Sequence, residues 1–215
     1  MVRSCWRRTA CAVLMVAAAA MTAAAAAQTP VQPPAQASAS DQPSRLPARD
    51  VAVIYRINGV GMEGAHKVQI TYTSRGERSR VDYFRWMEAK YPFLGIIFNR
   101  PADQLVTVMP ERRAYVVRNI GKLGNPAELL KNDLRFAREG EAKVAELDCT
   151  DWKYRLSNTN DDLGTACITD EGLLLRLTSA KSKDFSLTAT VVSFGSPPDS
   201  IFQPPPDFTR QKELR

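Results

Sequence analysis

Apolar and polar residues alternate along much of the chain after residue 50. The segments VAVIYRIN from Val51 and HKVQITYTS from His66 both carry apolar residues at every second position. A period of two is typical of strands with one buried face. RSRVDYFRW follows after a turn signal at Arg75–Glu77, so the pattern predicts three antiparallel strands in succession.

The next stretch, WMEAKYPFLGIIFNRP, is strongly apolar, and its apolar residues are too closely spaced for alternation. One interpretation is a strand that is buried on both faces. The other is a lid or cavity wall that lines space for a hydrophobic ligand. The candidate residues for such a pocket are Trp86, Met87, Tyr91, Phe93, Leu94, Ile96, Ile97 and Phe98.

The middle of the chain predicts two more strands and one helix. QLVTVMP and RAYVVRNI form the strands, joined by a turn at Pro110–Arg112. Asn125 followed by Pro126 is typical of a helix start, because asparagine caps free N–H groups and proline suits the first turn. We expect a helix of about two or three turns that ends near Gly140.

The last third of the chain again predicts strands. The range 142–156 has the pattern of one long or bent strand, with a change of phase near Thr150 that suggests a bulge. GTACIT and LLLRLTS flank a hairpin turn at Asp170–Gly172, and DFSLTATVVSF closes the sheet. The proline-rich end of the chain is expected to dock Ile201, Phe202 and Phe208 on the domain.

Residues 1–27 have the pattern of a secretory signal peptide. Arg3, Arg7 and Arg8 precede an alanine-rich apolar run, and Ala25 and Ala27 provide the small residues of a cleavage site. A retained anchor helix is the alternative, since the run is long enough to span a bilayer. The composition favours cleavage, because alanine contributes little to membrane insertion. After cleavage no integral membrane segment is expected.

The chain between the export signal and the first strand predicts a tether. Residues 28–49 hold five prolines and no aromatic residue. Such a segment cannot bury enough apolar area to offset the entropy of ordering it. We therefore expect a disordered tether at 28–49, a single folded domain at 50–208 and a charged tail at 209–215.

Cleavage would also change the charge balance. The chain has 29 basic and 23 acidic residues and a net charge of +6. The predicted signal peptide removes three arginines and no acid, so the net charge falls to about +3. A nucleic-acid partner is therefore not expected.

Cys149 and Cys167 are the two cysteines that remain beyond the predicted signal peptide. An even number of cysteines in an oxidising compartment predicts a disulfide. The alternatives are weaker, because a redox pair is usually two residues apart and a zinc site needs further ligands. The single histidine, His66, lies far away in sequence. No metal or other cofactor is expected.

Enzyme activity is not expected from these residues. A nucleophile–base set would have to include His66, which occupies a polar position of a strand. The neighbouring acids Asp161–Asp162, Asp148 with Asp151, and Asp170–Glu171 lie in or beside predicted turns, where acids are common. The glycine pattern from Gly59 to Gly64 leads into a strand, whereas a dinucleotide site requires a helix there.

The order of elements resembles the lipoprotein-carrier (LolA-like) superfamily of β-sheet proteins. The likeness lies in the strand pair at 51–74, the arginine-bearing strand RSRVDYF, the hairpin IIFNRPADQLVTVMPERRAYVV and the end LTATVVSFGSPPDSIFQPPPDF. It implies an α+β, mostly β fold: a curved antiparallel sheet, an incomplete barrel, with one or two short helices over an apolar concave face. In the carriers this cavity holds acyl chains of lipoproteins, whereas related domains bind partner proteins or sense envelope stress.

Together these observations predict an exported, periplasmic binding module without catalytic activity. A secreted protein is the alternative location. Its expected ligand is a lipid, an acyl chain or another hydrophobic molecule. The alternative function is a protein-interaction, structural or stress-sensing component of the cell envelope whose core is filled and holds no ligand.

Overall fold

The computed structural model describes residues 42–59, 64–121, 124–130, 133–159 and 161–212. The predicted signal peptide and most of the predicted tether lie outside these ranges. The described residues form one sheet of twelve strands. The strands are β1 (Val51–Asn58), β2 (Lys67–Tyr72), β3 (Arg78–Phe84), β4 (Leu94–Asn99), β5 (Gln104–Met109), β6 (Ala114–Asn119), β7 (Leu134–Val144), β8 (Leu147–Leu156), β9 (Asp162–Ile168), β10 (Leu174–Thr178), β11 (Ser186–Phe194) and β12 (Thr209–Gln211).

Neighbouring strands along the chain are mostly neighbours in the sheet. Its order is β12-β6-β5-β4-β3-β2-β1-β11-β10-β9-β8-β7. The pairs are antiparallel except that β12 runs parallel to β6. The prediction of a mostly β fold with a curved sheet is confirmed.

The two faces of the sheet can be assigned from the register. Residues that face each other across an antiparallel pair lie on the same side of the sheet. Val53 lies opposite Ile70, and Val81 lies opposite Ile96. The first three belong to the main apolar cluster of the protein, against which Ile96 packs. We call this side the inner face; the opposite side is the outer face.

In the main cluster, side chains from the two halves of the sheet pack against each other on the inner face. It combines residues of β1–β3 with residues of β7–β10, as a curled sheet requires. Its largest fully buried members are Tyr55, Ile70, Ile168, Leu173, Leu175, Val51, Val53, Val81 and Cys167.

A second cluster lies on the outer face of β4 and β5. Ile97, Val106 and Val108 pack there against Phe202, which belongs to the 3₁₀ turn Asp199–Phe202. Ile201 and Phe208 pack against the same cluster. The predicted docking of the chain end is therefore confirmed. The folded part also extends into the predicted tail, since Thr209–Gln211 form β12.

The helix predicted from Asn125 is wrong within the described residues. The helical elements described with bounds are 3₁₀ turns, two of them at Ser74–Gly76 and Pro110–Arg112. Asn125 instead starts a turn, in which the Glu128 N–H donates to the Asn125 carbonyl at 3.0 Å. Tertiary contacts override the local helix signal, because the Asn125 side chain is buried and bonded to the sheet.

Three hydrogen bonds hold the Asn125 side chain. Its Oδ1 accepts from the Ser79 hydroxyl at 2.7 Å and from the Ala127 N–H at 2.9 Å. Its Nδ2 donates to the Gly76 carbonyl at 3.2 Å. The turn therefore covers part of the inner face in the place where a helix was predicted, with Ala127 and Leu130 buried in the main cluster.

The long strand predicted for 142–156 is also wrong. A hairpin interrupts it, and β7 and β8 pair with each other on either side of a two-residue turn. Ala145 and Glu146 in that turn have φ angles of 49° and 63°. Turns of this kind favour glycine or asparagine, and neither residue occupies this turn, so the sequence carries no hairpin signal here.

The described part of the predicted tether, residues 42–49, lies against the sheet. Arg45 Nη2 donates to the Leu134 carbonyl at 3.1 Å, and the Ala48 N–H donates to the Glu171 carbonyl at 2.9 Å. Leu46 packs against the main cluster. These contacts place the start of the folded region before the predicted boundary at residue 50.

Among the helical elements of the described ranges, none has the length and apolar content needed to cross a bilayer.

Candidate functional site

The eight residues predicted to line a pocket are divided between different surroundings. Ile97 is fully buried on the outer face in the second cluster, and Phe98 is buried as well. Trp86 and Tyr91 are 63% and 83% exposed. Met87, Phe93, Leu94 and Ile96 are half-buried. The eight residues therefore do not line one enclosed cavity. Their half-buried and exposed members lie in the loop between β3 and β4 and in the first half of β4.

The loop between β3 and β4 carries the exposed aromatic residues. The Trp86 ring stacks on the His66 ring with 5.3 Å between centroids and 12° between planes. Lys67 Nζ donates to the Ala89 carbonyl at 2.6 Å, which fixes the middle of the loop. The Arg85 guanidinium lies 4.5 Å from the centroid of the Phe93 ring. These contacts hold the start, the middle and the end of the loop, while Trp86 and Tyr91 face water.

Beside this loop, the inner face of β4–β6 is only partly covered. Ile96 lies opposite Thr107, and Thr107 lies opposite Val116, so the three share the inner face. All three are half-buried. We call the half-buried inner-face residues of these strands the open patch: Leu94, Ile96, Leu105, Thr107, Met109 and Val116.

The two faces of β4 and β5 differ in burial, whereas β6 has half-buried residues on both faces, with Val116 on the inner face and Tyr115 and Val117 on the outer face. The C-terminal segment seals the outer face, where Ile97, Val106 and Val108 are buried. On the inner face of β4 and β5, Phe98 is buried, whereas the other residues keep part of their surface in water. An apolar face that no described segment covers fully is a typical place for a ligand or partner.

The covered part of the inner side is closely filled. A cavity of about 10 Å³ lies there, between the turn at Ala127–Leu130 and the segment Leu173–Leu174. The Tyr72 hydroxyl donates to the Ala127 carbonyl at 2.9 Å, and the Tyr55 hydroxyl donates to the Leu174 carbonyl at 2.7 Å. Burial raises the pKa of both hydroxyls well above the ordinary value, so both remain neutral donors.

A charged pair lies on the outer face beneath the C-terminal segment. Arg80 Nε donates to Asp82 Oδ2 at 2.7 Å, and Arg80 Nη1 donates to the Ile201 carbonyl at 3.1 Å. Gly95 makes room for the pair, because a Cβ there would lie 2.9 Å from Asp82 Oδ1. Burial raises the pKa of the Asp82 carboxyl, and Arg80 partly offsets this effect.

Two further arginines hold the same segment. Arg78 Nη1 donates to Asp199 Oδ1 at 2.8 Å, and Arg113 is paired with Asp207. Since all of these contacts are made within the chain, we assign these arginines to anchoring the segment. The sequence indicated the docking but not the arginines that secure it.

The predicted disulfide is confirmed. Cys149 and Cys167 are bonded, with their Cα atoms 5.5 Å apart, and link β8 to β9. A cleft of about 390 Å³ lies beside it. Its lining residues are Arg138, Glu141, Ala142, Asp148, Cys149, Thr150 and Asp170.

The other candidate groups are engaged in surface contacts. His66 is exposed and stacked on Trp86. Arg176 Nη2 lies 2.9 Å from both carboxylate oxygens of Asp151, and Arg49 Nε lies 2.6 Å from Glu171 Oε2. These contacts stabilise the surface, and they do not bring His66 together with an acid pair.

No family model and no curated protein matches this chain. Among solved structures, an uncharacterized conserved protein from Thermus thermophilus is 11% identical, with a TM-score of 0.52. The match covers 77% of this chain and 91% of that one. This likeness shows a shared fold.

Two other structures overlap less well. A LolA superfamily protein from Nitrosomonas europaea is 14% identical over 74% of this chain and 92% of that one, with a TM-score of 0.37. The Pseudomonas aeruginosa MucA/MucB complex is 12% identical over 74% of this chain and 56% of that one, with a TM-score of 0.45. A LolA superfamily protein is thus among the structures that are similar to this chain, as predicted. At these scores the likeness carries no argument about function.

Proposed function

We propose that this protein is an exported, non-catalytic binding module whose open patch receives a hydrophobic ligand. The observation that carries this proposal is the contrast between the two faces of β4 and β5. Their outer face is sealed by the chain itself, whereas Leu94, Ile96 and Thr107 on the inner face are only half-buried. The export signal predicted for residues 1–27 supports a periplasmic location.

The geometry favours a groove over an enclosed cavity. The cavity between Ala127–Leu130 and Leu173–Leu174 measures about 10 Å³, which is too small for an acyl chain. A ligand would therefore lie along the open patch, whose residue Leu94 directly follows the loop that carries the exposed Trp86 and Tyr91. Such aromatic side chains combine a large apolar surface with a polar atom that can face water.

A fluorescent long-chain acyl probe tests this proposal. We expect uptake by the purified protein and at least roughly tenfold weaker uptake by Ile96→Asp, because a carboxylate in an apolar groove is costly. Val191→Asp is the matched control, since Val191 is apolar, 48% exposed and remote on β11. Circular dichroism must show that both variants are folded. Failure of the folded wild-type protein to take up the probe would overturn the proposal.

A second candidate function is the binding of a partner protein. The exposed Trp86 and Tyr91, which lie in the same loop as Arg85, favour it, because these residue types dominate binding energy at protein interfaces. A pull-down from envelope extract separates the candidates. A partner lost in the Trp86→Ala and Tyr91→Ala variants, without acyl-probe uptake by the wild type, supports this second function.

A further inference from the structure

The strand β7 stands at one end of the sheet, at the far end from β12 and β6. It is 11 residues long, so it offers a longer edge than most strands. One of its edges pairs with β8, and the other faces away from the sheet. Free strand edges are templates for a further strand, because their N–H and C=O groups lack ladder partners.

The chain itself occupies the first part of this edge. The Gln42 side chain bonds both main-chain groups of Phe136: its Nε2 donates to the carbonyl at 3.2 Å, and its Oε1 accepts from the N–H at 3.1 Å. Arg45 bonds the Leu134 carbonyl. The amide of Gln42 thus makes the pair of bonds that the backbone of an added strand would make.

The second part of the edge, residues 138–144, has no such cover among the described residues. The register fixes which main-chain groups face outward there. Val144 and Leu147 flank the two-residue turn and bond each other, so the alternation of the ladder directs the groups of Lys143 and Glu141 away from β8. These two residues therefore offer outward N–H and C=O groups.

The cleft of about 390 Å³ adjoins this same part of the edge. Arg138, Glu141 and Ala142 of β7 line it, together with Asp148 and Asp170. Arg138 Nη2 is bonded to Glu141 Oε1 at 2.9 Å, so the charges of this pair cancel. The carboxylates of Asp148 and Asp170 then give the cleft a net negative charge. The cleft therefore favours positively charged side chains.

We propose that residues 138–144 of β7 form a docking edge for an extended, basic peptide segment of a partner protein, which adds to the sheet as an antiparallel strand. Its backbone bonds Glu141 and Lys143, and its lysine or arginine side chains enter the acidic cleft. The bulge between Arg138 and Gly140 and the charges along β7 protect the edge from non-specific pairing. This surface is separate from the open patch, and neither proposal depends on the other.

The probe is a blocked synthetic peptide of alternating lysine and valine, about seven residues long, labelled for fluorescence anisotropy. Its controls are the same peptide with glutamate in place of lysine, and a version that is N-methylated at alternate residues. We expect binding of the basic peptide to full-length oxidised protein, which weakens with salt. The acidic and N-methylated peptides should each bind at least roughly tenfold more weakly.

Two matched variants locate the site on the protein. Lys143→Pro removes the outward N–H and the charge, whereas Lys143→Ala removes the charge alone. Proline is tolerated at an edge strand when its missing N–H faces outward. We expect Lys143→Pro to bind roughly tenfold more weakly than Lys143→Ala. Hydrogen exchange of the Glu141 and Lys143 amides should slow when the basic peptide is bound to the wild type.

Several outcomes would overturn the proposal. These are no binding of the basic peptide, equal binding of the basic and acidic peptides, or equal binding by the two Lys143 variants. If Lys143→Pro does not fold, the N-methylated peptide decides: binding as tight as that of the parent peptide overturns the proposal. A dimer of the free protein with protected β7 amides would also overturn it, because a second copy would then occupy the edge.

Discussion

Two neighbouring isoleucines of β4 test the orientation of the sheet. Ile97 is fully buried on the outer face, where it packs with Val106, Val108 and Phe202. Ile96 is half-buried on the inner face, in the open patch. Substitution of each isoleucine by alanine removes the same atoms and the same preference for strands. The difference between the two losses in free energy of unfolding therefore measures the difference in burial of the two side chains.

The expected magnitudes follow from these surroundings. Truncation of a buried isoleucine to alanine costs about 2–5 kcal/mol. We expect about 3 kcal/mol for Ile97→Ala, because Phe202 belongs to a terminal segment that can shift towards the gap. Ile96→Ala should cost about 1 kcal/mol, since part of its side chain is already in water.

Urea unfolding followed by circular dichroism measures both free energies, and thermal unfolding gives a second readout. A loss of about 3 kcal/mol lowers the Tm of a domain of this size by about 6–12 °C. A larger loss for Ile96→Ala than for Ile97→Ala would refute the assignment of the two faces. Equal losses would refute the claim that the inner face of β4–β6 is open.

Three further predictions concern the rest of the fold. Reduction of the Cys149–Cys167 bond, which closes a loop with a separation of 18 residues, should lower the free energy of unfolding by about 3 kcal/mol; a thiol titration that finds two free cysteines before reduction would contradict the bond. Asn125→Ala should cost about 2–4 kcal/mol in urea unfolding, because it removes three hydrogen bonds and leaves buried polar groups without partners; a loss below about 1 kcal/mol would show that the turn is not held by this side chain. Burial raises the pKa of Asp82 above its ordinary value of 3.8, so its contribution to stability is present below that value and is lost as pH rises through the raised pKa. The stability of the wild type relative to Asp82→Asn should therefore fall as pH rises from about 4 towards neutrality, and a constant difference would refute the burial of this carboxyl.

The strands could be predicted where one face is buried and the other is wet. Val51, Val53 and Tyr55 alternate with more exposed residues in β1, and this period of two is present in the sequence. The disulfide was predictable for a different reason, because two cysteines beyond a predicted export signal have few other expected chemical roles.

The errors have specific physical causes. Asn125 carries a good helix-start pattern, but its side chain bonds Ser79 in a distant strand, and this contact cannot be seen in a local pattern. The β7–β8 turn uses Ala145 and Glu146 at positive φ, where the common turn residues are absent.

The sequence identified only some of the residues of the candidate site. The sequence identified Leu94 and Ile96 as apolar, but it grouped them with Ile97 because it could not tell which side of the strand would be covered. That choice depends on the C-terminal segment, about 100 residues further along the chain, which packs against Ile97. Phe98 shares the inner face with Leu94 and Ile96 but is buried. Thr107 and Val116 joined the open patch through strand register, which no local pattern fixes.

Native mass spectrometry of the protein, isolated gently from the cells that produce it, tests the central claim most directly. We predict a species heavier than the polypeptide by the mass of a hydrophobic molecule, which organic solvent removes and which the folded Ile96→Asp variant does not carry. Detection of the bare polypeptide mass alone, from a protein that also fails to take up an acyl probe, would contradict the account.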